Sequence, residues 1–186
     1  GRLLSALRAS GHQENTLVIF TSDHGDLDSA HRMEHKSAMY EEAARVPLIV
    51  SGPGVAGAGR VDRTHLVSSG LDLLPTLCGI AGAPVPANMH GMDFTPLLRG
   101  VPAADWRTHL VMESELGRMV RSARYKYALH DAGAHREQLY DLERDPHETR
   151  NFVLDADCAQ ARDEHRRVLR EWVARTGDSM AAEYLI

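Results

Sequence analysis

Two short runs without a polar side chain, Leu17-Val18-Ile19-Phe20 and Pro47-Leu48-Ile49-Val50, constrain the fold of this chain more than any other feature. Neither run alternates, and both are too short for a buried helix. They read as strands covered on both faces, as in a parallel α/β sheet. The first lies in a strand over 16–21 and the second in one over 46–52 that Pro53-Gly54 stops. Upstream, Leu3, Leu4, Ala6 and Leu7 share one helical face, which Ser10-Gly11 closes. A helix that leads straight into a buried strand implies an earlier strand from which the crossover came. None precedes it in these residues, so the chain reads as the C-terminal part of a longer α/β core, with an unpaired sheet edge.

The pattern then changes along the chain. Residues 37–45 read as a short helix, and Leu71, Leu74, Leu77 and Cys78 carry an apolar stripe along a helix to about Ala81, with Pro75 marking either a kink or the true start. A Pro-rich connection over 84–105 encloses one helical turn in FTPLLRG. Beyond it come strand-like runs, HLVMES and RMVRSARYKYALHD, then the turn-rich EQLYDLERDPHE. Val168, Leu169, Trp172 and Val173 support a final helix over 156–175. The expected division is an α/β core over 1–105 and a small α+β subdomain over 106–186, an antiparallel sheet packed by the C-terminal helix.

Composition narrows the functional classes. The formal charge of −5 excludes a general nucleic-acid binder, and Arg162, Arg166, Arg167 and Arg170 read as a solvated helix face. No run of eighteen apolar residues offers a membrane span. Cys78 and Cys158 have no partner at metal-ligand spacing and read as buried thiols. The opening GRLLSALRAS has no export-signal pattern. Localisation stays open between cytoplasm and periplasm, as does assembly into a homo-oligomer.

The chemistry concentrates where the first strand ends. Asp23, His24 and Gly25 follow it at once, and ligands of α/β folds gather at the carboxyl ends of strands. A carboxylate beside an imidazole, on a backbone that Gly25 lets turn tightly, can present an oxygen and a nitrogen to one cation. The tripeptide alone is weakly specific. A strand-end Asp capping a turn, with His24 exposed, accounts for it as well.

The continuation decides between these readings. Thr-Ser-Asp-His-Gly, then His31, then Lys36, then MYEEAARVPLIV resembles the sulfatase branch of the alkaline-phosphatase superfamily. The resemblance extends through VSSGLDLLPTLCGIAGAP, GMDFTPLLRG and RSARYKYALHDAGAHREQLYDLERDPHETRNF, in the family's order. It implies the C-terminal part of an α/β/α sandwich plus the small antiparallel subdomain. It implies that Asp23 and His24 are ligands of a divalent cation, calcium above all, with manganese or magnesium as alternatives. Lys36 would touch the sulfate or phosphate oxygens. His31 aligns with a histidine at the mouth of the site, the other reading being a surface histidine.

The family's nucleophile is a formylglycine made within Cys/Ser-x-Pro/Ala-x-Arg, and neither that motif nor the family's early Asp-Asp pair occurs in these residues. The expected activity is hydrolysis of a small-molecule or carbohydrate sulfate ester, with little or no turnover by these residues alone. The alternatives are a phosphonate or phosphate monoester hydrolase of the same superfamily and a non-catalytic remnant.

Other groups invite plainer readings. Glu41 and Glu42 are adjacent on a helix and point apart, so a solvated or salt-bridging role with Arg45 nearby is expected. Arg124, Tyr125 and Lys126 read as a phosphate patch or as strand alternation. His35 receives no role, and His65, His90 and His109 read as structural or exposed. His130 and His135 flank DAGA, a hairpin tip that overhangs the active-site side in relatives of the family it resembles; a substrate contact there is the alternative to plain exposure.

Overall fold

In the computed structural model, which describes residues 1–186, the two apolar runs form β1 (Val18–Phe20) and β2 (Ile49–Ser51). They pair antiparallel, with Ile19 opposite Val50, which corrects the parallel expectation for these two strands. The chain between them contains only a short 3-10 turn and a four-residue helix, α2 (Glu41–Ala44), so it lacks the long crossover helix that usually returns a chain to a parallel neighbour. Within these residues Phe20 and Ile49 are exposed.

Contacts divide the chain into two units. The first comprises residues 1–23, 46–63 and 67–106, and the second comprises 24–45, 64–66 and 107–186. Residues 24–45, which the sequence division places with the α/β core, therefore pack with the small sheet instead.

In the first unit α1 (Arg2–Ala9) precedes the β1–β2 pair, and α3 (Leu73–Ala81) and α4 (Thr95–Leu98) follow it. Pro75 occupies the third position of α3, where its missing N–H would have had no helical partner. It marks the start of the helix and does not kink it. Asp72, fully buried, accepts the N–H of Ser68 at 2.7 Å and of Met92 at 2.8 Å. Thr76 Oγ1 donates to the Asp72 carbonyl and accepts the Phe94 N–H, so α3 is tied to the approach to α4.

The second unit is built on a four-stranded antiparallel meander, β3 (Leu110–Ser114), β4 (Gly117–Arg121), β5 (Tyr125–His130) and β6 (Glu137–Asp141), in chain order. Its two-residue periodicity sorts side chains onto two faces. Val120, Tyr127 and Leu139 are cross-strand partners on one face, where with Leu129 they meet Leu169 and Val173 of α5 (Ala159–Thr176). Met119 and Ala128 are partners on the other, and there Met39 covers them. Arg121, Lys126, Gln138 and Tyr140 fall on this second face by the same alternation. The apolar periodicity of α5 is thus explained, and the segment before α2 becomes the opposite cover of the sheet. Gly177, in the left-handed region, ends α5, and Asp178 caps the last helix, α6 (Ser179–Ala182), while Arg118 donates twice to its carboxylate. No helix is long and apolar enough to cross a membrane.

Candidate active site

Asp23, an exposed residue of the first unit, lies three residues beyond β1, and its Oδ1 accepts from Ser22 Oγ at 3.3 Å. His24, half-buried, opens the second unit. Its Nδ1 lies 2.7 Å from the Gly25 carbonyl, which can only accept, so Nδ1 is the donor. Fixing one ring nitrogen on a backbone carbonyl is how proteins orient a histidine that ligates through the other.

Gly25 serves a different purpose from the tight turn expected of it. A Cβ at this position would stand 1.9 Å from the Glu42 carbonyl oxygen, and the Gly25 N–H donates to the Ala43 carbonyl at 2.8 Å. The glycine lets the backbone lie against α2, which anchors the chain just after His24.

The next stretch is a loop pinned at its neck, where the Leu27 N–H donates to the His35 carbonyl at 2.7 Å and the Leu27 side chain is buried. Within it Asp28, Ser29, His31, Arg32 and His35 all have positive φ, between 44° and 73°. Each such residue costs about 1–2 kcal/mol relative to ordinary backbone, and strain of this kind collects where a side chain must be held in one direction. His31 stacks on Tyr40 with ring centroids 3.7 Å apart, and its Nε2 lies 3.6 Å from Glu42 Oε2. Lys36 extends from the exposed turn that follows the neck. The structure thus joins His31 to Tyr40 and Glu42, and leaves the Lys36 side chain in solvent.

A charge cluster that sequence reasoning missed secures this segment to the sheet. Lys126, 1% exposed, lies 2.8 Å from Glu41, 2.8 Å from Glu148 and 3.0 Å from the Met39 carbonyl. Glu148 Oε2 also accepts the Glu41 N–H at 2.6 Å, and Arg121 bonds Glu41. Burial pushes the Glu41 carboxyl up, but Lys126 and Arg121 together outweigh it and hold the group below the usual range. At Glu148 burial prevails over Lys126 and the carboxyl is raised. Lys126 is therefore no phosphate patch. Alternation sends it inward, while Arg124 pairs with the buried carboxylate of Asp141. Glu41 does take a salt-bridging role, with Arg121 and Lys126 as its partners where Arg45 was expected. The separation of 107 residues between Glu41 and Glu148 leaves no periodic signal by which the pair could be found in the sequence.

The remaining histidines separate. His135 lines a cavity of about 440 Å³ together with His31, Arg32, Tyr40 and Tyr140. His109 lies edge-on to His165, whose Nε2 accepts from Ser122 Oγ while Nδ1 donates to the Ala161 carbonyl, a structural pair. No three His, Cys, Asp or Glu side chains gather closely enough to enclose a metal ion. A carboxylate and an imidazole are a mixed donor set, better suited to manganese than to calcium, which prefers oxygen throughout.

A family profile described as N-sulphoglucosamine sulphohydrolase, C-terminal, matches residues 29–175, most of the chain. The chain belongs to the sulfatase family. This sulfatase-family chain is 36% identical over 185 residues to the Delta 4,5-hexuronate-2-O-sulfatase of Bacteroides thetaiotaomicron, covering 95% of its own length and 38% of the relative's. A crystal structure of a putative sulfatase from Bacteroides thetaiotaomicron superimposes with a TM-score of 0.84 at 37% identity, over 95% of this chain and 40% of that one. The phosphonate monoester hydrolase of Agrobacterium radiobacter superimposes with a TM-score of 0.81 at 29% identity, over 94% and 38%. The sulfatase-family chain thus spans well under half the length of the relatives it matches, and its fold is that of the alkaline-phosphatase superfamily.

Proposed function

We propose that the intact protein hydrolyses sulfate esters of a carbohydrate, and that Asp23, His24 and Lys36 are the parts of its active site contributed by these residues. The observation that carries the reading is the histidine locked by its own loop: Nδ1 of His24 is engaged by the Gly25 carbonyl, next in sequence to an exposed carboxylate at a strand end. The similarity to a hexuronate-2-O-sulfatase supports a carbohydrate ester as substrate.

When bound, the divalent cation supplies Lewis-acid stabilisation and a formylglycine supplies the attacking oxygen. The chain's own residues do the rest. Asp23 and His24 would hold the cation. The Lys36 ammonium donates to non-bridging oxygens of the ester, where it stabilises charge that grows as the S–O bond breaks. His31, which stacks on Tyr40, would meet the substrate or its leaving group. With two cation ligands and no nucleophile, these residues by themselves should turn over little or nothing.

A second reading rests on the resemblance to phosphonate monoester hydrolase, because Asp-His followed by Lys serves either anion equally. Turnover of an aryl sulfate and an aryl phosphonate by the intact protein separates the two. A preference for the sulfate supports the first reading and a preference for the phosphonate the second. In either case Lys36→Ala should lower kcat by about 100-fold or more. A variant with unchanged kcat on both substrates would remove Lys36 from the mechanism.

A further inference from the structure

We infer that the cavity lined by His31, Arg32, Tyr40, His135 and Tyr140 is a subsite for a second anionic group of the substrate, a carboxylate or an additional sulfate on the sugar that bears the scissile ester. This rests on the hydrolase reading above and deepens it. At about 440 Å³ the cavity falls within the range of roughly 300–1,000 Å³ typical of small-molecule sites.

Strand alternation brings Gln138 and Tyr140 to the sheet face that Met39 covers, and Tyr40 meets Tyr140 there with ring centroids 5.8 Å apart. The two phenol rings and the His31 ring stacked on Tyr40 form a wall against which the apolar face of a sugar can lie.

Much of the polar capacity in the lining is already spent within the protein. Asn151 accepts the N–H groups of Leu139 and Val153 and donates to the Glu137 carbonyl. Tyr140 donates to Gln138, and Thr149 donates to Asp145. The single carboxylate of the lining, Glu148, lies 2.8 Å from the Lys126 ammonium. His31 Nε2 lies 3.6 Å from Glu42 Oε2, so what remains is the Arg32 guanidinium, which forms no ion pair, with the imidazole of His135 in the same lining. Left-handed backbone at both His31 and Arg32 sets the direction of the strand of loop that carries them. A guanidinium is the side chain best shaped to take a carboxylate or sulfate by two parallel hydrogen bonds.

The test uses the intact protein and its Arg32→Gln and His135→Gln variants on four substrates: a 2-O-sulfated hexuronate, the matching hexose 2-sulfate, a hexose disulfate and 4-nitrophenyl sulfate. Arg32→Gln should lower the ratio of kcat/KM for the acid-bearing sugar to that for hexose 2-sulfate by about tenfold, chiefly through KM. His135→Gln should lower it less. A loss confined to the hexuronate identifies the carboxylate, and one confined to the disulfate identifies a second sulfate. Ratios unchanged in both variants overturn the inference. If the unaltered protein cleaves none of the four, the hydrolase reading fails on its own terms, and titration of the free hexuronate into wild type and Arg32→Gln still decides: affinity weakened about tenfold sustains the subsite, and equal affinity removes it.

Discussion

On the small sheet Val120, Tyr127, Leu129 and Leu139 are at most 1% exposed, whereas Phe20 and Ile49 of the β1–β2 pair keep 61% and 59% of their surface in water. Both sheets are antiparallel and both are rich in apolar residues. The difference lies in what the chain supplies as cover. Within the second unit α5 closes one face of the meander and the Met39 segment the other. Within the first unit α1 buries none of its residues, and Leu3 is 88% exposed. Apolar composition therefore marks a strand that can be covered, and only the partner elements decide whether it is. The polar groups repeat the contrast: the second unit buries Arg118, Lys126 and Asp141 with charged partners, a costly arrangement that holds only while every partner is present.

The largest expected effect breaks that last feature. Lys126→Met would remove the cation that Glu41 and Glu148 share, leaving Glu41 with Arg121 and Glu148 with none, and should cost about 3–5 kcal/mol in urea unfolding of the intact protein. A loss below about 1 kcal/mol would mean that the cluster is dispensable. The comparison between units is sharpened by pairing Leu139→Ala with Phe20→Ala. The first should cost about 3 kcal/mol. For the second, the exposure of Phe20 in these residues sets an expectation within about 0.5 kcal/mol. Equal losses would show that β1–β2 is as well covered as the meander.

A smaller effect is expected at Gly25→Ala, where the new methyl would meet the Glu42 carbonyl and push the His24 loop off α2. A loss of about 1–3 kcal/mol is expected, together with weaker binding of the cation, read by titration with Mn²⁺. Unchanged stability and affinity would contradict the close approach.

The smallest effect depends on pH. Burial holds the His165 imidazole below its ordinary value of 6.5, so the unfolded chain takes up a proton there that the folded chain refuses. Its contribution to stability is complete above pH 6.5 and is lost as pH falls through that value toward the lower folded one. His109, depressed chiefly by burial as well, adds to the same slope. Unfolding free energy should therefore decline from pH 7 to pH 5, and His165→Gln should flatten the decline. An unaltered slope in that variant would assign the effect elsewhere.

Much of this architecture is legible in the residues themselves. The stripe of Val168, Leu169, Trp172 and Val173 locates α5, which runs over Ala159–Thr176, and the short β-rich runs after residue 106 locate the meander. Pro75 left a kink or a helix start open in the sequence, and the structure places it in the first turn, which tolerates a missing N–H. Asp23, His24 and Lys36 are candidates through a resemblance more than through spacing, since two adjacent ligand types are common at any strand end. The antiparallel pairing of β1 with β2 was not legible, because a continuous apolar run looks the same in either orientation. Neither was the attachment of residues 24–45 to the small sheet, which depends on Met39, Glu41 and Glu148 meeting Lys126 across long stretches of chain. Arg32 gave no signal either: a lone arginine in a polar loop acquires meaning only beside a cavity.

We propose that Asp23 and His24 share one divalent cation in the intact protein. The most direct test is a crystal structure of that protein grown with Mn²⁺, read by anomalous scattering at the manganese edge. The expected result is a peak in direct contact with an Asp23 carboxylate oxygen and His24 Nε2, with the Lys36 ammonium facing an anion bound to the same ion. A manganese ion ligated by other residues, with Asp23 and His24 turned away from it, would contradict the account.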